Sequence, residues 1–398
     1  MELSRPKIFL DHHSTTPCDA RVVEAMLPFF AEEFGNPTSR THGYGWSAER
    51  AVEEARTRVA ALIGASAREI VFTSGATEAN NLAIRGALVG QRMAGGRGDH
   101  VVTCRTEHRA VLDPCRALLR EGFRVTEIGV DREGHVDLDE LARALEPGTV
   151  LISLMLANNE IGVLHDLAPV AALARERGIL LHSDAAQAAG KLALDVRALG
   201  VDLLSLSAHK LYGPKGVGAL YVRHRRPPLA LAPLLHGGGH ERGLRPGTLP
   251  VPLCVGFGRA CQLAAEAGEG EARRIRALRE RLLGRLRAEL AEVWLNGDPE
   301  RRLPGNLSVA LPGVEAEALL LALPELALST GSACTSAKRE PSHVLKALGI
   351  PQARALGTIR IGLGRTTSEA DVDEAARLIA VQVRRLRALS PTWQARGA

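Results

Sequence analysis

Only six lysines occur in the 398 residues, at positions 7, 191, 210, 215, 338 and 346, so chemistry that needs a primary amine has few candidates. Lys210 is distinctive because Ser207-Ala208-His209-Lys210 directly follows the apolar run 203–206. Four other apolar runs end in polar groups. Run 70–73 leads into Ser74-Gly75-Ala76-Thr77-Glu78, 100–104 into Thr106-Glu107-His108, 150–156 into Asn158-Asn159-Glu160, and 179–182 into Ser183-Asp184-Ala185-Ala186-Gln187. In open parallel α/β sheets, ligands bind outside the carboxyl ends of the strands. Five such endings in register predict one site that carries an amine, a carboxylate, an imidazole and several hydroxyl and amide donors.

A glycine-containing turn that opens a helix offers backbone N–H groups and a dipole to phosphate. Gly75-Ala76-Thr77 has that form, and Ser207 and His209 add donors. Asp184 suits a protonated pyridine nitrogen, and Gln187, one helical turn further on, reaches a ring hydroxyl. His108 can stack on a ring and move protons. Lys210 can form a covalent link to an aldehyde, with Lys215 in Gly213-Pro214-Lys215-Gly216 as the second candidate. This set fits pyridoxal phosphate, whose protonated ring acts as an electron sink. Other readings compete. Ser74, Thr77 and Asp184 are also good helix N-caps. His182 and Asp184 with Cys104 or His108 match no zinc spacing. Three glycines separate His236 from His240, which disfavours a helical metal pair, and 213–218 lacks the ending of a phosphate loop and precedes a strand.

The elements that must position these groups follow from periodicity. The strand-like runs, including 217–222, alternate with amphipathic stretches such as 166–178, which predicts a parallel sheet covered on both faces. A helix over 47–63 puts Val52, Ala55, Val59 and Leu62 on one stripe. Beyond residue 265 the texture changes. A helix over 271–293 aligns Ile275, Leu278, Leu282, Leu286, Leu290 and Val293; strand-like 306–310, a helix at 315–323, the Ser/Thr/Gly-rich 329–336, strand-like 358–362 and a helix from Glu369 follow. The expected organisation is a large domain over 16–262 and a smaller α+β domain from 1–15 and 263–398.

Bulk properties narrow the class. Hydrophobic residues make up 45% and charged residues 24%, the profile of a globular chain. A net charge of +5 spread over this length is weak support for nucleic-acid binding, and the densest basic run, Arg223-His224-Arg225-Arg226, reads as a solvated loop. No uninterrupted apolar run of about 18 residues exists, and Met1–Lys7 has no secretory h-region. The expectation is a cytoplasmic protein with no membrane or direct nucleic-acid partner. Six scattered cysteines (18, 104, 115, 254, 261 and 334) read as reduced thiols. Five of them suit apolar packing. Cys334 differs, because it lies among small polar residues in Gly331-Ser332-Ala333-Cys334-Thr335-Ser336.

Taken with Leu10-Asp11-His12-His13-Ser14-Thr15-Thr16-Pro17, Phe34-Gly35-Asn36-Pro37 and Asn158-Asn159-Glu160-Ile161-Gly162, these motifs resemble the cysteine desulfurases of the nitrogen-fixation and iron–sulfur housekeeping type. These form a long-loop group in the class V aminotransferases. The resemblance runs from about residue 8 to about residue 392. It implies an α/β, fold-type I pyridoxal-phosphate transferase that forms a homodimer. Lys210 would carry the cofactor, Asp184 pair with its pyridine nitrogen, Gln187 and Asn159 face its ring oxygen, and His108 stack on it. Ala76, Thr77, Ser207 and His209 would hold the phosphate, completed by Thr248 from the other subunit. Arg360 would grip the substrate carboxylate, with Asn159 and Asn36 nearby. Cys334 would take sulfur from L-cysteine, leave L-alanine, and pass the persulfide to an acceptor such as an iron–sulfur scaffold, with transient ligation of a metal or cluster possible at that thiol. No resident metal is expected. Selenocysteine lyase or another pyridoxal-phosphate transferase of this fold is the alternative; an aminotransferase would have no use for Cys334. The sequence departs from the commonest family forms at Asp11–Thr16, Ala208 and Pro246, and in a short tail after Ser390.

Overall fold

The structure is a computed structural model that describes residues 7–330 and 341–394. The strands among them are β1 Ile8–Phe9, β2 Ile70–Thr73, β3 His100–Cys104, β4 Arg124–Ile128, β5 Thr149–Ser153, β6 Leu180–Asp184, β7 Leu203–Ser207, β8 Gly218–Val222, β9 Trp294–Leu295, β10 Asn306–Ala310, β11 Leu326–Ala327 and β12 Thr358–Gly362. β2 to β8 form one seven-stranded sheet in the order β2-β8-β7-β6-β5-β3-β4. Its central strands are fully buried, as their uninterrupted apolar runs require.

The sheet is mainly parallel, but the expectation of parallel pairing fails at one strand. β8 runs antiparallel to both β7 and β2. The link 208–217 is shorter than the roughly dozen residues that a parallel crossover needs, so the chain must turn back. Two reversals leave β2 aligned with β7, so the phosphate-type turn after β2 still reaches the same sheet edge as the other four endings. β4 was not anticipated. Its residues Arg124-Val-Thr-Glu-Ile128 lie at the sheet edge and are mostly half-exposed, so they lack a continuous apolar run.

Helices cover both faces. On one, the helix Gly43–Leu62 buries Val52, Ala55 and Val59, with Leu62 packed at the margin, next to Val255 and Phe257. On the other, Ala76–Met93 and Arg109–Arg120 pack over Val71, Val101, Leu151 and Leu203. A second core lies beside β9, β10 and β12. The whole expected stripe from Ile275 to Val293 is buried there with Leu307, Val309, Ile359 and Ile361. Full burial of each such side chain contributes about 1.5–3 kcal/mol. Leu10 joins this second core, which ties the N-terminal segment to it. The helix Val251–Glu289 starts earlier than the sequence suggested and runs through residue 262; it leaves helical geometry at Gly268 (φ 53°, ψ −151°).

A buried ion pair anchors the loop that leads to Thr248. Arg56 donates two hydrogen bonds of 2.7 Å to the Glu241 carboxylate, which also accepts from the Phe72 backbone N–H at 2.6 Å. Glu241 and Arg242 both adopt left-handed backbone (φ 49° and 59°), a conformation that costs a non-glycine residue about 1 kcal/mol or more. The pair holds this turn in place just before Arg245-Pro246-Gly247-Thr248.

Candidate active site

The five strand endings converge on one open cavity of ≈ 1040 Å³. Ala76, Thr77, His108, Asn159, Asp184, Gln187, Ser207, His209, Lys210 and Arg360 all line it. The sequence reading therefore brings ten of its residues to one place. Lys215 also lines the wall, and its ammonium lies 3.5 Å from the Thr16 carbonyl.

Gly75 is the N-cap of the helix Ala76–Met93 and supplies no side-chain cap, so the first backbone N–H groups face the cavity. Its φ of 154° and the absence of any atom within 4 Å of an added Cβ leave an open cradle there. Opposite, Gly218 packs so closely that an added Cβ would lie 2.6 Å from the Gly75 Cα. The His209 ring contacts Thr15 Oγ1 at 3.1 Å. Burial, together with Lys210, Lys215 and Lys191, lowers its pKa to about 4, so it is a neutral donor or acceptor at neutral pH. This donor set, with a helix N-terminus, fits a phosphate group.

Asp184 ends β6 and is buried. One carboxylate oxygen accepts from Asn80 Nδ2 at 2.7 Å and the other from the Ala186 backbone N–H at 2.9 Å. Asn80 was not foreseen. It lies one turn into the helix that the phosphate-type turn opens, so that helix positions both ends of the site. His108 caps the helix Arg109–Arg120, with its Nδ1 accepting from the Ala110 N–H at 3.1 Å. Its ring stays open to the cavity, yet the crowding of surrounding protein lowers its pKa, against the opposing effect of Asp184.

Lys210 points into the cavity and donates to the backbone carbonyls of His13 and Ser14 at 2.6 and 2.7 Å. Burial, reinforced by Arg360, lowers its pKa to about 8, and Asp11 and Asp184 only partly offset this. The amine is thus far easier to deprotonate than an ordinary lysine. Arg360, on β12, is buried and held by Asp11 (2.9 Å), Ser14 Oγ (2.6 Å) and the Asn159 carbonyl (2.9 Å). A rigid guanidinium at a cavity wall suits recognition of a carboxylate.

Two expected residues stand apart. Thr248 is exposed and lies outside this cavity. Asn36 is also exposed, and its Oδ1 accepts from the Thr38 N–H and hydroxyl. Cys334 lies outside the described residues. The described residues on either side of that segment, Ser329, Thr330 and His343, line the cavity. Ser329 pairs with Arg360 through backbone hydrogen bonds, and the Ser342 hydroxyl donates to the buried Glu160 carboxylate. His343, which the sequence reading passed over, contacts the Glu107 carbonyl through Nε2 at 2.9 Å.

The metal alternative loses its main ligand. Both ring nitrogens of His182 are used inside the sheet, by Ser153 Oγ (2.8 Å) and Ser205 Oγ (2.9 Å), and burial drops its pKa to about 3. Cys104, Cys115 and Cys254 are buried, and that burial pushes each thiol up to about 12, which makes them inert packing groups. No helix among the described residues is long and apolar enough to cross a membrane.

A sheet edge that gathers an amine, a carboxylate, an imidazole and a phosphate-type turn into one cavity defines the fold-type I pyridoxal-phosphate class. Residues 8–375 match the aminotransferase class-V family. A cysteine desulfurase IscS from Anaeromyxobacter sp. (strain Fw109-5) is 54% identical over 387 residues, covering 97% of this chain and 95% of the relative. Among solved structures, a NifS-like protein superposes with a TM-score of 0.87 at 36% identity, covering 95% of this chain and 99% of its own. A structure described as SspA in complex with cysteine gives a TM-score of 0.79 at 36% identity, covering 90% and 99%. The chain belongs to the aminotransferase class-V family, in its pyridoxal-phosphate-dependent cysteine desulfurase branch.

Proposed function

We propose that this cavity removes sulfur from L-cysteine and leaves L-alanine, with the sulfur passing to Cys334. The observation that carries this reading is the low-pKa amine of Lys210 facing Arg360 across a cavity that also holds the Asp184 carboxylate. The backbone N–H groups at Ala76 and Thr77, with Ser207 and His209, would hold the phosphate. Asp184 would pair with the pyridine nitrogen, Gln187 and Asn159 would face the ring oxygen, and His108 would cover the ring. Bound there through Lys210, pyridoxal phosphate supplies an electron sink for charge that develops at the substrate Cα.

The chain's own groups do the rest. Arg360 takes the substrate carboxylate in a bidentate grip and so fixes which bond at Cα faces Lys210. Asn36 stands at the substrate side. The Lys210 amine takes the Cα proton and, after the C–S bond has broken, returns a proton to Cα. The Cys334 thiolate attacks the substrate sulfur: an S–S bond forms, the substrate C–S bond breaks, and the electron pair returns to Cβ, which gains a proton. Alanine leaves and a persulfide stays on Cys334 for a protein acceptor such as an iron–sulfur scaffold.

The working unit is a homodimer. Exposed Phe34 and Tyr44, with ring centroids 5.1 Å apart, offer apolar surface that suits a second copy, and Thr248, outside its own cavity, would complete the partner's phosphate site. A division into a large domain at 16–262 and a small one at 1–15 and 263–398 is supported by the cluster beside β9, β10 and β12 being distinct from those of the large sheet, with Val344, Leu345 and Ala355 packed on Ile161 and Val163 between them.

The test is stoichiometry. Purified protein loaded with pyridoxal phosphate and given L-cysteine with a thiol reductant should release alanine and sulfide in equal amounts. Alanine without sulfide, or keto acid in place of alanine, would overturn the reading. Within it, Arg360→Lys should raise KM for L-cysteine roughly 10- to 100-fold with a smaller change in kcat, because an ammonium cannot reproduce the two-point contact. Steady-state kinetics checks this.

A further inference from the structure

We propose that Lys191 is a positioning residue that fixes which end of the Gln187 amide faces the cofactor. This rests on the cofactor-binding reading above. The Lys191 ammonium donates to Gln187 Oε1 at 2.9 Å, and Gln187 Nε2 donates to the His13 carbonyl at 2.8 Å. An ammonium can only donate and a carbonyl can only accept, so the amide cannot be turned over without breaking both bonds. Its oxygen is used by Lys191 and one of its N–H bonds by His13. The second N–H is the polar group left to the cavity, whose wall Gln187 forms.

The local backbone builds this arrangement. A tight turn runs from Ala185 to Lys191, with the Ala188 and Ala189 N–H groups on the Ala185 carbonyl and the Lys191 N–H on the Ala188 carbonyl. Gly190 (φ 73°) bends the chain so that Lys191 doubles back towards Gln187. The His13 carbonyl accepts from Lys210 as well as Gln187, so one backbone oxygen registers the amide against the reactive amine.

Lys191 works from behind the site. It lines a separate small cavity of ≈ 30 Å³ with His12, His13, Tyr212 and Glu271. Burial holds His12 at a pKa of about 4 and His13 well below the ordinary histidine value, so neither ring substitutes for the lysine as a cation at neutral pH. Burial first, then the charges of Lys210 and Arg360, bring Lys191 itself down to about 7. Either form has a hydrogen to give to Gln187, but only the protonated form is unable to accept from a turned amide; for the neutral form the His13 carbonyl sets the orientation.

The consequence concerns the cofactor's ring oxygen. A donated hydrogen bond stabilises that oxygen as an anion and favours proton loss from the bound chromophore. Without Lys191 only the His13 carbonyl still sets the amide, so turning it costs one bond in place of two and the N–H faces the ring oxygen for less of the time, which weakens that stabilisation. The experiment is a pH titration of the visible absorption band of the pyridoxal-phosphate-loaded protein. Lys191→Met should move the midpoint upward by about one pH unit, a tenfold change in the proton equilibrium, while Lys191→Arg should keep the parent value. If Lys191→Met does not fold, Lys191→Gln reads the same change. Gln187→Leu should shift the midpoint similarly, and Lys191→Met added to it should shift it no further, since both act through one amide. An unmoved midpoint in Lys191→Met, or an equal further shift in the Gln187→Leu background, would overturn the proposal while leaving the cofactor reading intact. A parent protein that develops no visible band with pyridoxal phosphate would overturn both.

Discussion

Lys210→Ala is expected to stop alanine and sulfide production, with a fall of at least about 10³-fold, and to abolish the covalent link to pyridoxal phosphate. Borohydride reduction followed by peptide mass measurement reads the second effect directly: the parent should carry the adduct on Lys210 and the variant should carry none. An adduct on Lys215 in the parent would contradict the assignment. The same residue sets a pH dependence. Its pKa, lowered to about 8 chiefly by burial and then by Arg360, makes the free amine the minority form at neutral pH. The Cα proton transfer should therefore speed up as pH rises from 7 and level off above about 8. The proton-transfer rate, followed by Cα deuterium exchange, should reproduce that limb. A profile that falls over this interval would show that the protonated amine is required.

The second large effect belongs to Cys334. Cys334→Ser should eliminate sulfide release, a loss of at least about 10³-fold, because a serine hydroxyl cannot accept the sulfur. The visible cofactor band and its response to L-cysteine should survive, since none of the ten cavity-lining residues is altered. Labelled sulfur from L-cysteine should be found as persulfide on the parent chain and be missing from the variant. Full turnover in the variant would remove Cys334 from the reaction and favour selenocysteine lyase or another transferase of the same fold.

Most of the site could be read in the chain because its reactive groups sit at strand ends, and strand ends in a doubly covered sheet share an edge. Lys210, Asp184, His108 and the Gly75 turn each follow an apolar run directly, so local order along the sequence is enough to group them. The residues that hold these groups gave no such signal. Asp11 and Ser14 reach Arg360 from the other end of the chain through the second core. Asn80 is an ordinary helix residue until the fold sets it against Asp184. Lys191 was legible only in part: its spacing of four from Gln187 suggests contact, but its purpose appears only when His13 supplies the second bond. The edge strand Arg124–Ile128 and the reversal at β8 were missed for different reasons. The first shows partial burial in place of a continuous apolar run, and the second is decided by loop length rather than by residue type.

Described residues on either side of Cys334 are anchored at the cavity wall. Ser329 is pinned to β12 by backbone bonds with Arg360, and Ser342 is pinned to Glu160. Cys334 is five residues beyond Ser329, and a fully extended chain of that length spans on the order of 17 Å. On the proposed reading of Cys334, that span plus the length of the side chain bounds how far the thiol can lie from Ser329 while the Ser329 bonds hold. Sulfur held on Cys334, as proposed, would then not leave by movement of the segment alone. A protein acceptor of the kind proposed would then have to dock on the enzyme and bring its receiving atom inside that reach.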